Sequence, residues 1–134
     1  MDGGLRDLSQ YRLERAKEDL KTAEENLACG SLRASVNRSY YAIFHALRAI
    51  TALDQFDSGK HSGIIAFFNH NYVKSGLFGK EISKIIDSSY RLREKADYDD
   101  FYIVSKDDAS KQIEKATIVI EQVEQYLNNL NTTQ

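Results

Sequence analysis

Length and charge narrow the possibilities before any motif is considered. The chain has 134 residues, of which 42 % are hydrophobic and 28 % are charged, with no proline and one cysteine. This composition predicts a single soluble domain over residues 1–134, with its core between about residues 7 and 130, and excludes a second domain. Eighteen basic and twenty acidic residues leave a net charge of −2, which excludes a global positive field for wrapping duplex nucleic acid.

The same residues bear on cellular location. Cys29 has no partner for a disulfide within the chain, which fits a reducing compartment. No apolar run approaches the ~18 residues of a membrane span, and the first residues do not resemble a secretory leader. We therefore expect a cytoplasmic protein that does not enter the membrane.

Apolar spacing predicts five helices. The absence of proline and the few glycines favour long, uninterrupted helices. Gly30 suits the C-terminal cap of the first helix and Ser31 the N-cap of the second. The polar tail NNLNTTQ, residues 128–134, is expected to be frayed. Apolar residues recurring every three or four positions, with polar or glycine-containing breaks between them, place the helices over residues 7–28, 31–54, 60–72, 80–96 and 109–130.

Four long amphipathic helices and one short helix, joined by tight connections, predict an all-α fold. The expected architecture is an antiparallel up-and-down bundle, because each apolar stripe is too narrow for an isolated helix to be stable in water. The residues expected in its core are Leu20, Val36, Ile43, Leu47, Ile86, Ile113 and Ile120.

The second helix carries an unusual polar face opposite its core face. Arg38 and His45 are seven residues apart, so they lie about 20° apart around the helix and about 10.5 Å apart along it. Small residues accompany them on that face, which would let another backbone approach closely. We therefore predict a homodimer whose interface uses Ala34, Tyr41, Ala42, Ala49 and Ala52.

Two interpretations of this face stay open. In the first, Arg38 and His45 are structural polar groups where the helix packs against another helix or a second chain. In the second, Arg38 holds a phosphodiester, His45 moves protons, and Asn37 and Tyr41 support them.

A second anomaly lies in the fourth helix, where Arg93 falls among apolar residues. Asp97 is placed for an i,i+4 ion pair with it, and Tyr98 lies close enough to cover it. This arrangement predicts either a structural salt bridge or a second cationic contribution to the same site.

Metal and cofactor sites are not indicated. His61 and His70 share no helical face and have no cysteine or carboxylate at ligand spacing, so we expect no metal site. Lys60 and His61, at the start of the short helix, could contact an anion, although a solvated helix start is the commoner explanation. No glycine-rich phosphate loop or nucleophile elbow is present, and no cofactor is expected.

The segment SVNRSYYAIFHALRAI at residues 35–50, Lys60-His61 after a glycine-containing break, and REKADYDDF from Arg93 together resemble the HEPN domain family. The similarity extends over most of the chain and is closest to the small, single-domain prokaryotic branch. The joined Tyr-Tyr-Ala-x-Phe-His and Arg-x-x-Ala-Asp-Tyr motifs are fairly specific.

This resemblance implies a dimeric helical bundle of the toxin-antitoxin type, often paired with a minimal nucleotidyltransferase. Many members are metal-independent ribonucleases whose signature is an Arg and a His separated by four to six intervening residues, which Arg38 and His45, with six residues between them, satisfy. It also implies that a partner nucleotidyltransferase can modify Tyr98. Two alternatives stay open: a non-catalytic module that binds RNA or nucleotides, and a subunit that only docks a nucleotidyltransferase.

Overall fold

The computed structural model describes residues 3–132. Within that range the chain is helical and contains no β-strand, so the predicted all-α fold is confirmed. The elements are α1 (Gly3–Ala28), α2 (Leu32–Leu53), α3 (His61–Phe68), a π-helical turn (Asn69–Val73), α4 (Lys80–Tyr98) and α5 (Lys106–Thr132).

Several helices are longer than predicted. Helix α1 begins at Gly3, four residues before the predicted start, and α4 continues to Tyr98. Helix α5 begins at Lys106, where Asp107 and Asp108 occupy the first turn and suit its positive dipole end. It continues through Thr132, so the prediction of a frayed tail is wrong up to that residue, and the last two residues lie outside the described range.

The tight turn between α1 and α2 depends on Gly30. Its backbone has φ +83°, the left-handed conformation that glycine adopts without a steric penalty, and it follows the last residues of α1. Ser31 occupies the N-cap position of α2 as predicted, although its side chain makes no capping hydrogen bond.

Hydrogen bonds along the α1 and α2 pair show that the two helices are antiparallel. Ser9 Oγ near the start of α1 donates to the carbonyl oxygen of Ala49 near the end of α2, at 2.6 Å. At the opposite end of the pair, Ser35 Oγ donates to the carbonyl oxygen of Ala23 at 2.8 Å. This pairing fixes which face of α2 lies under α1.

Three of the five residues predicted for the dimer surface, Ala42, Ala49 and Ala52, are buried within one chain, so that part of the predicted surface is wrong, whereas Ala34 is exposed and Tyr41 is partly exposed. Ala42 and Ala49 are fully buried and Ala52 is 3 % exposed within one chain. Small side chains let the two backbones approach closely enough for the Ser9 bond. The buried part of this face therefore packs against another helix of the same chain, which is one of the two packing partners that the sequence left open.

Five of the seven predicted core residues are buried: Val36, Ile43, Leu47, Ile86 and Ile120. Leu20 is partly buried at the edge of the core. Ile113 is only half-buried, and the neighbouring Gln112 is fully buried in its place. Gln112 Nε2 donates to Ser89 Oγ at 2.9 Å, a bond that joins α5 to α4 and gives the buried amide nitrogen a partner.

No helix within the described residues is both long and apolar enough to span a lipid bilayer.

We expect Leu47→Ala to lower the free energy of unfolding by about 2–5 kcal/mol, because the truncation leaves a cavity in the core. Ile113→Ala should have a clearly smaller effect, since that side chain is only half-buried. Urea denaturation of both variants measures the difference. Equal losses would contradict this assignment of the core.

Candidate active site

Helix α2 turns four chemically active side chains toward α1 and α4. Arg38, Tyr41, His45 and Arg48 are spaced three or four residues apart, so they form a row along one side of the helix. None of these four side chains is fully buried. The row therefore forms a polar strip beside the tightly packed alanines.

Asp19 of α1 joins Arg38 to His45. Its Oδ1 lies 3.2 Å from Nη1 of Arg38, and its Oδ2 lies 3.5 Å from Nε2 of His45. Asp19 is only 7 % exposed. The structure thus brings the two predicted catalytic residues together through a third, buried side chain.

The sequence contained a signal for Asp19 that was missed. Ala16 and Ala23 of the predicted α1 seam are both fully buried, and Asp19 lies three residues after one and four before the other. A carboxylate on an apolar seam requires a partner, because burying an unpaired charge is unfavourable.

Burial controls the protonation of His45. The pKa of His45 is lowered to about 4. Burial is the main cause, and the positive charges of four arginines add to it: Arg15, Arg48, Arg38 and Arg12. The imidazole is therefore neutral at neutral pH and can accept a proton. Burial also raises the pKa of Asp19, an effect opposed mainly by Arg38 and Arg15.

The arginines around His45 form a local positive cluster on an acidic protein. Arg12 and Arg15 come from α1, and Arg38 and Arg48 come from α2. A concentration of guanidinium groups around a neutral imidazole suits a phosphate ligand. The site therefore has a local concentration of positive charge, although the net charge of the whole chain is −2.

Polar contacts extend the site from Arg38 to α4. Arg38 Nη2 donates to Asn37 Oδ1 at 3.2 Å, and Asn37 Nδ2 donates to Asp97 Oδ2 at 3.2 Å. Asp97 Oδ2 also lies 2.9 Å from Arg93 Nε. The Arg93 side chain is 12 % exposed, so the predicted pair is partly buried and connected to the predicted site.

Tyr41 lies between the two guanidinium groups of this network. The Cζ of Arg38 is 4.9 Å from the centre of the Tyr41 ring, and the Cζ of Arg93 is 5.6 Å from it. Arg93 Nη2 also donates to the Tyr41 hydroxyl at 3.5 Å. Tyr41 therefore contacts both arginines.

His61, interpreted from the sequence as part of a solvated helix start, is instead half-buried against this site. Its ring lies 4.1 Å from that of Phe44 and 5.5 Å from that of Tyr41, measured between ring centres. Burial lowers the pKa of His61, with Arg93 and Arg48 adding to the effect. Because His61 is far from Phe44 and Tyr41 along the chain, no local sequence pattern indicates this contact.

Tyr98 lies at the edge of the network. Its residue is 70 % exposed, and its ring centre is 5.8 Å from the Cζ of Arg93. The side chain therefore contacts Arg93 while most of its surface faces solvent.

A groove of about 560 Å³ runs beside Arg38 between α1, α2 and α4. The groove is lined by Thr22, Asn26, Arg33, Ala34, Asn37, Arg38 and Asp97.

Within the described residues, no cluster of three or more His, Cys, Asp or Glu side chains is arranged to hold a metal ion.

The HEPN domain profile matches residues 9–126, and the chain belongs to the HEPN domain family. A protein of Thermotoga maritima named "UPF0332 protein" is 31 % identical over 121 residues, covering 90 % of this chain and 92 % of that protein. Two proteins of Methanocaldococcus jannaschii are also similar. One, named "Putative toxin MJ0605", is 36 % identical with 70 % of each chain covered. The other, named "Putative toxin MJ0142", is 26 % identical, covering 89 % of this chain and 81 % of that protein.

The lowered pKa of His45 predicts a pH-dependent stability. Between about pH 6.5 and pH 4, His45 takes up a proton in the unfolded chain but not in the folded one, so its contribution to stability falls as the pH falls. The maximum slope for one such group is about 1.4 kcal/mol per pH unit. Urea denaturation across this range should show a shallower loss for His45→Gln than for the parent. Parallel curves would show that His45 titrates normally.

Proposed function

We propose that this protein is a toxin-type HEPN protein that cleaves RNA without a metal ion, using Arg38 and His45 in a dimer. The observation that carries the proposal is the link that Asp19 makes between Arg38 and the neutral His45, inside a cluster of arginines. The names of the two relatives from Methanocaldococcus jannaschii support the assignment to the toxin type.

The site residues fit attack by the ribose 2′-hydroxyl on its neighbouring phosphate. Asp19 lies beside Nε2 of His45 and favours the ring proton there, which leaves Nδ1 to accept the proton of the 2′-hydroxyl. Asp19 then stabilises the imidazolium that forms. Arg38, with 37 % of its side chain exposed, supplies positive charge to the phosphorane. Cleavage of the bond from phosphorus to the 5′-oxygen gives a 2′,3′-cyclic phosphate and a 5′-hydroxyl.

A dimer supplies the second proton-transfer group. The leaving 5′-oxygen needs a proton. In a two-fold dimer a second His45 lies in the same cleft, and the negative charge of the bound phosphodiester favours the protonated imidazole that donates it. Because Ala42, Ala49 and Ala52 are buried within the chain, we place the proposed interface on the outer face of α1. Leu8 and Tyr11 there are 38 % and 58 % exposed, and Arg15 Nη1 lies 3.4 Å from the Tyr11 hydroxyl.

Light scattering at tens of micromolar should give twice the 15.3 kDa chain mass. Tyr11→Glu should return the mass to that of one chain, because it places a charge within the proposed interface. Leu77→Glu is the matched control, since Leu77 is equally exposed at 58 % but lies in the connection before α4. A monomeric parent protein would contradict the dimer.

For cleavage, we expect the purified protein to cut single-stranded RNA equally well with and without a chelator. His45→Ala and Arg38→Ala should each lower the rate by about 100- to 10,000-fold, because each removes a group that acts on the reacting atoms. His70→Ala is the control, since His70 is exposed in the π-helical turn. The assay follows the release of a 2′,3′-cyclic phosphate end.

Two outcomes would contradict the cleavage proposal. Variants at residues 38 and 45 that fold and cleave like the parent would show that the site is elsewhere. RNA binding that needs Arg38 but is never followed by cleavage would favour the alternative of a non-catalytic RNA-binding module.

We further propose that a minimal nucleotidyltransferase binds this protein and adds a nucleoside monophosphate to Tyr98. Its exposure of 70 % leaves the side chain accessible, and the added phosphate would lie near Arg93. Bulk and negative charge there would compete with RNA for the arginines of the site. Asp97, Asp99 and Asp100 oppose the approach of a triphosphate unless the metal ions of the partner screen them.

Intact-mass spectrometry after incubation with the nucleotidyltransferase and nucleoside triphosphates measures this modification. The mass should rise by one nucleoside monophosphate in the parent protein and in Tyr11→Phe, a control with another exposed tyrosine. Tyr98→Phe should show no increase. An increase that persists in Tyr98→Phe would exclude Tyr98 as the acceptor.

A further inference from the structure

An open pocket lies between α2 and the start of α3, next to the proposed active site. Its volume is about 490 Å³. Arg48, three residues after His45, lies about 4.5 Å further along the α2 axis. The pocket is lined by Phe44, Arg48, Asp57, Ser58, Gly59 and His61.

The pocket already holds a negatively charged group of the protein itself. Both carboxylate oxygens of Asp57 accept hydrogen bonds from Arg48 Nη2, at 3.2 and 3.3 Å, and Oδ1 also accepts one from the backbone N–H of Ser58 at 2.9 Å. Arg12 Nη2 lies 3.9 Å from Oδ2. Two guanidinium groups and a backbone amide thus surround one carboxylate, which is the donor set that an oxyanion requires.

Asp57 is held there loosely. Its side chain is 58 % exposed and lies in the connection between α2 and α3. Ion pairs this exposed to solvent contribute little to stability, so a ligand anion can displace the carboxylate with a small loss of free energy.

His61 adds a hydrogen-bond donor of fixed orientation. The Tyr40 hydroxyl lies 2.9 Å from His61 Nδ1, and Tyr40 is 1 % exposed. Among the described residues this is the only hydrogen bond that the hydroxyl makes, and a buried phenol needs an acceptor for its proton. Tyr40 therefore donates to Nδ1, and the proton of the neutral His61 ring lies on Nε2, opposite that bond.

We infer that this pocket binds a second phosphate of the RNA, next to the one at His45, through the guanidinium of Arg48 and the Nε2–H of His61. In the free protein Asp57 occupies the place of that phosphate and competes with it for Arg48. The inference rests on the proposed function for the identity of the ligand, a single-stranded RNA. The rings of His61 and Phe44, with centres 4.1 Å apart and planes tilted by 31°, form one wall of the pocket.

Binding of a single-stranded oligonucleotide with 2′-O-methyl riboses tests the pocket separately from catalysis, because such a strand lacks the attacking hydroxyl. We expect Asp57→Asn to tighten binding by about 3- to 10-fold in a fluorescence anisotropy titration, since it removes the competing charge. Asp87→Asn is the matched control. Asp87 forms an ion pair with Arg91 at 3.0 Å, is 60 % exposed, and its substitution changes the net charge equally. The control should change the affinity by less than about 2-fold.

His61→Phe should weaken binding by about 3- to 10-fold, because it keeps a ring against Phe44 but removes the Nε2–H donor. Its thermal midpoint is measured alongside, since Tyr40 loses its acceptor in this variant. If His61→Phe does not fold, the Asp57→Asn comparison decides the question by itself.

The outcomes separate this inference from the proposed function. Tighter binding by Asp57→Asn in a protein that never cleaves RNA would support the pocket and contradict the ribonuclease. Cleavage that depends on His45, with Asp57→Asn and Asp87→Asn binding alike, would support the ribonuclease and overturn the pocket. A parent protein and Asp57→Asn that both fail to bind the oligonucleotide would also overturn the pocket.

Discussion

The buried carboxylate of Asp19 is the constraint on which the rest of the site depends. A charge that is only 7 % exposed requires partners, and Asp19 lies 3.2 Å from Arg38 and 3.5 Å from His45. Both contacts exist only if α1 lies antiparallel along one side of α2. Gly30 makes that hairpin possible and the alanines of α2 make it close. The same helix pairing therefore supports the fold and sets the orientation of the two candidate catalytic residues.

Three arginines of the site are each paired with an acidic side chain of the same chain. Arg38 contacts Asp19, Arg48 contacts Asp57, and Arg93 contacts Asp97. The pairs differ in burial, from a nearly buried Asp19 side chain at 10 % exposure to an open Asp57 at 58 %. Under the proposed function, the buried carboxylate of Asp19 orients a guanidinium group, whereas the exposed carboxylate of Asp57 is displaced by a phosphate.

Asp19 was absent from the sequence prediction, and His61 was named there without its contacts to the site, for different reasons. Asp19 interrupts an apolar seam, so helical periodicity alone could have indicated it. His61 follows a loop and contacts Phe44 and Tyr40 through packing, and neither spacing nor composition relates those positions. The helix boundaries were placed to within a few residues, although Ile113 was assigned to the core where Gln112 lies.

The sequence by itself determined the helices, the family and the row of Arg38, Tyr41 and His45, because helical periodicity is a local property that spacing along the chain reveals. Only the tertiary structure decided that α1 covers the α2 alanines, that Asp19 lies between Arg38 and His45, and that His61 joins them. These contacts depend on how surfaces far apart in the chain fit in shape and charge. A rotation of one helix about its axis changes these contacts without altering the apolar pattern of its sequence. In α5, for example, Gln112 is buried where the pattern predicted Ile113.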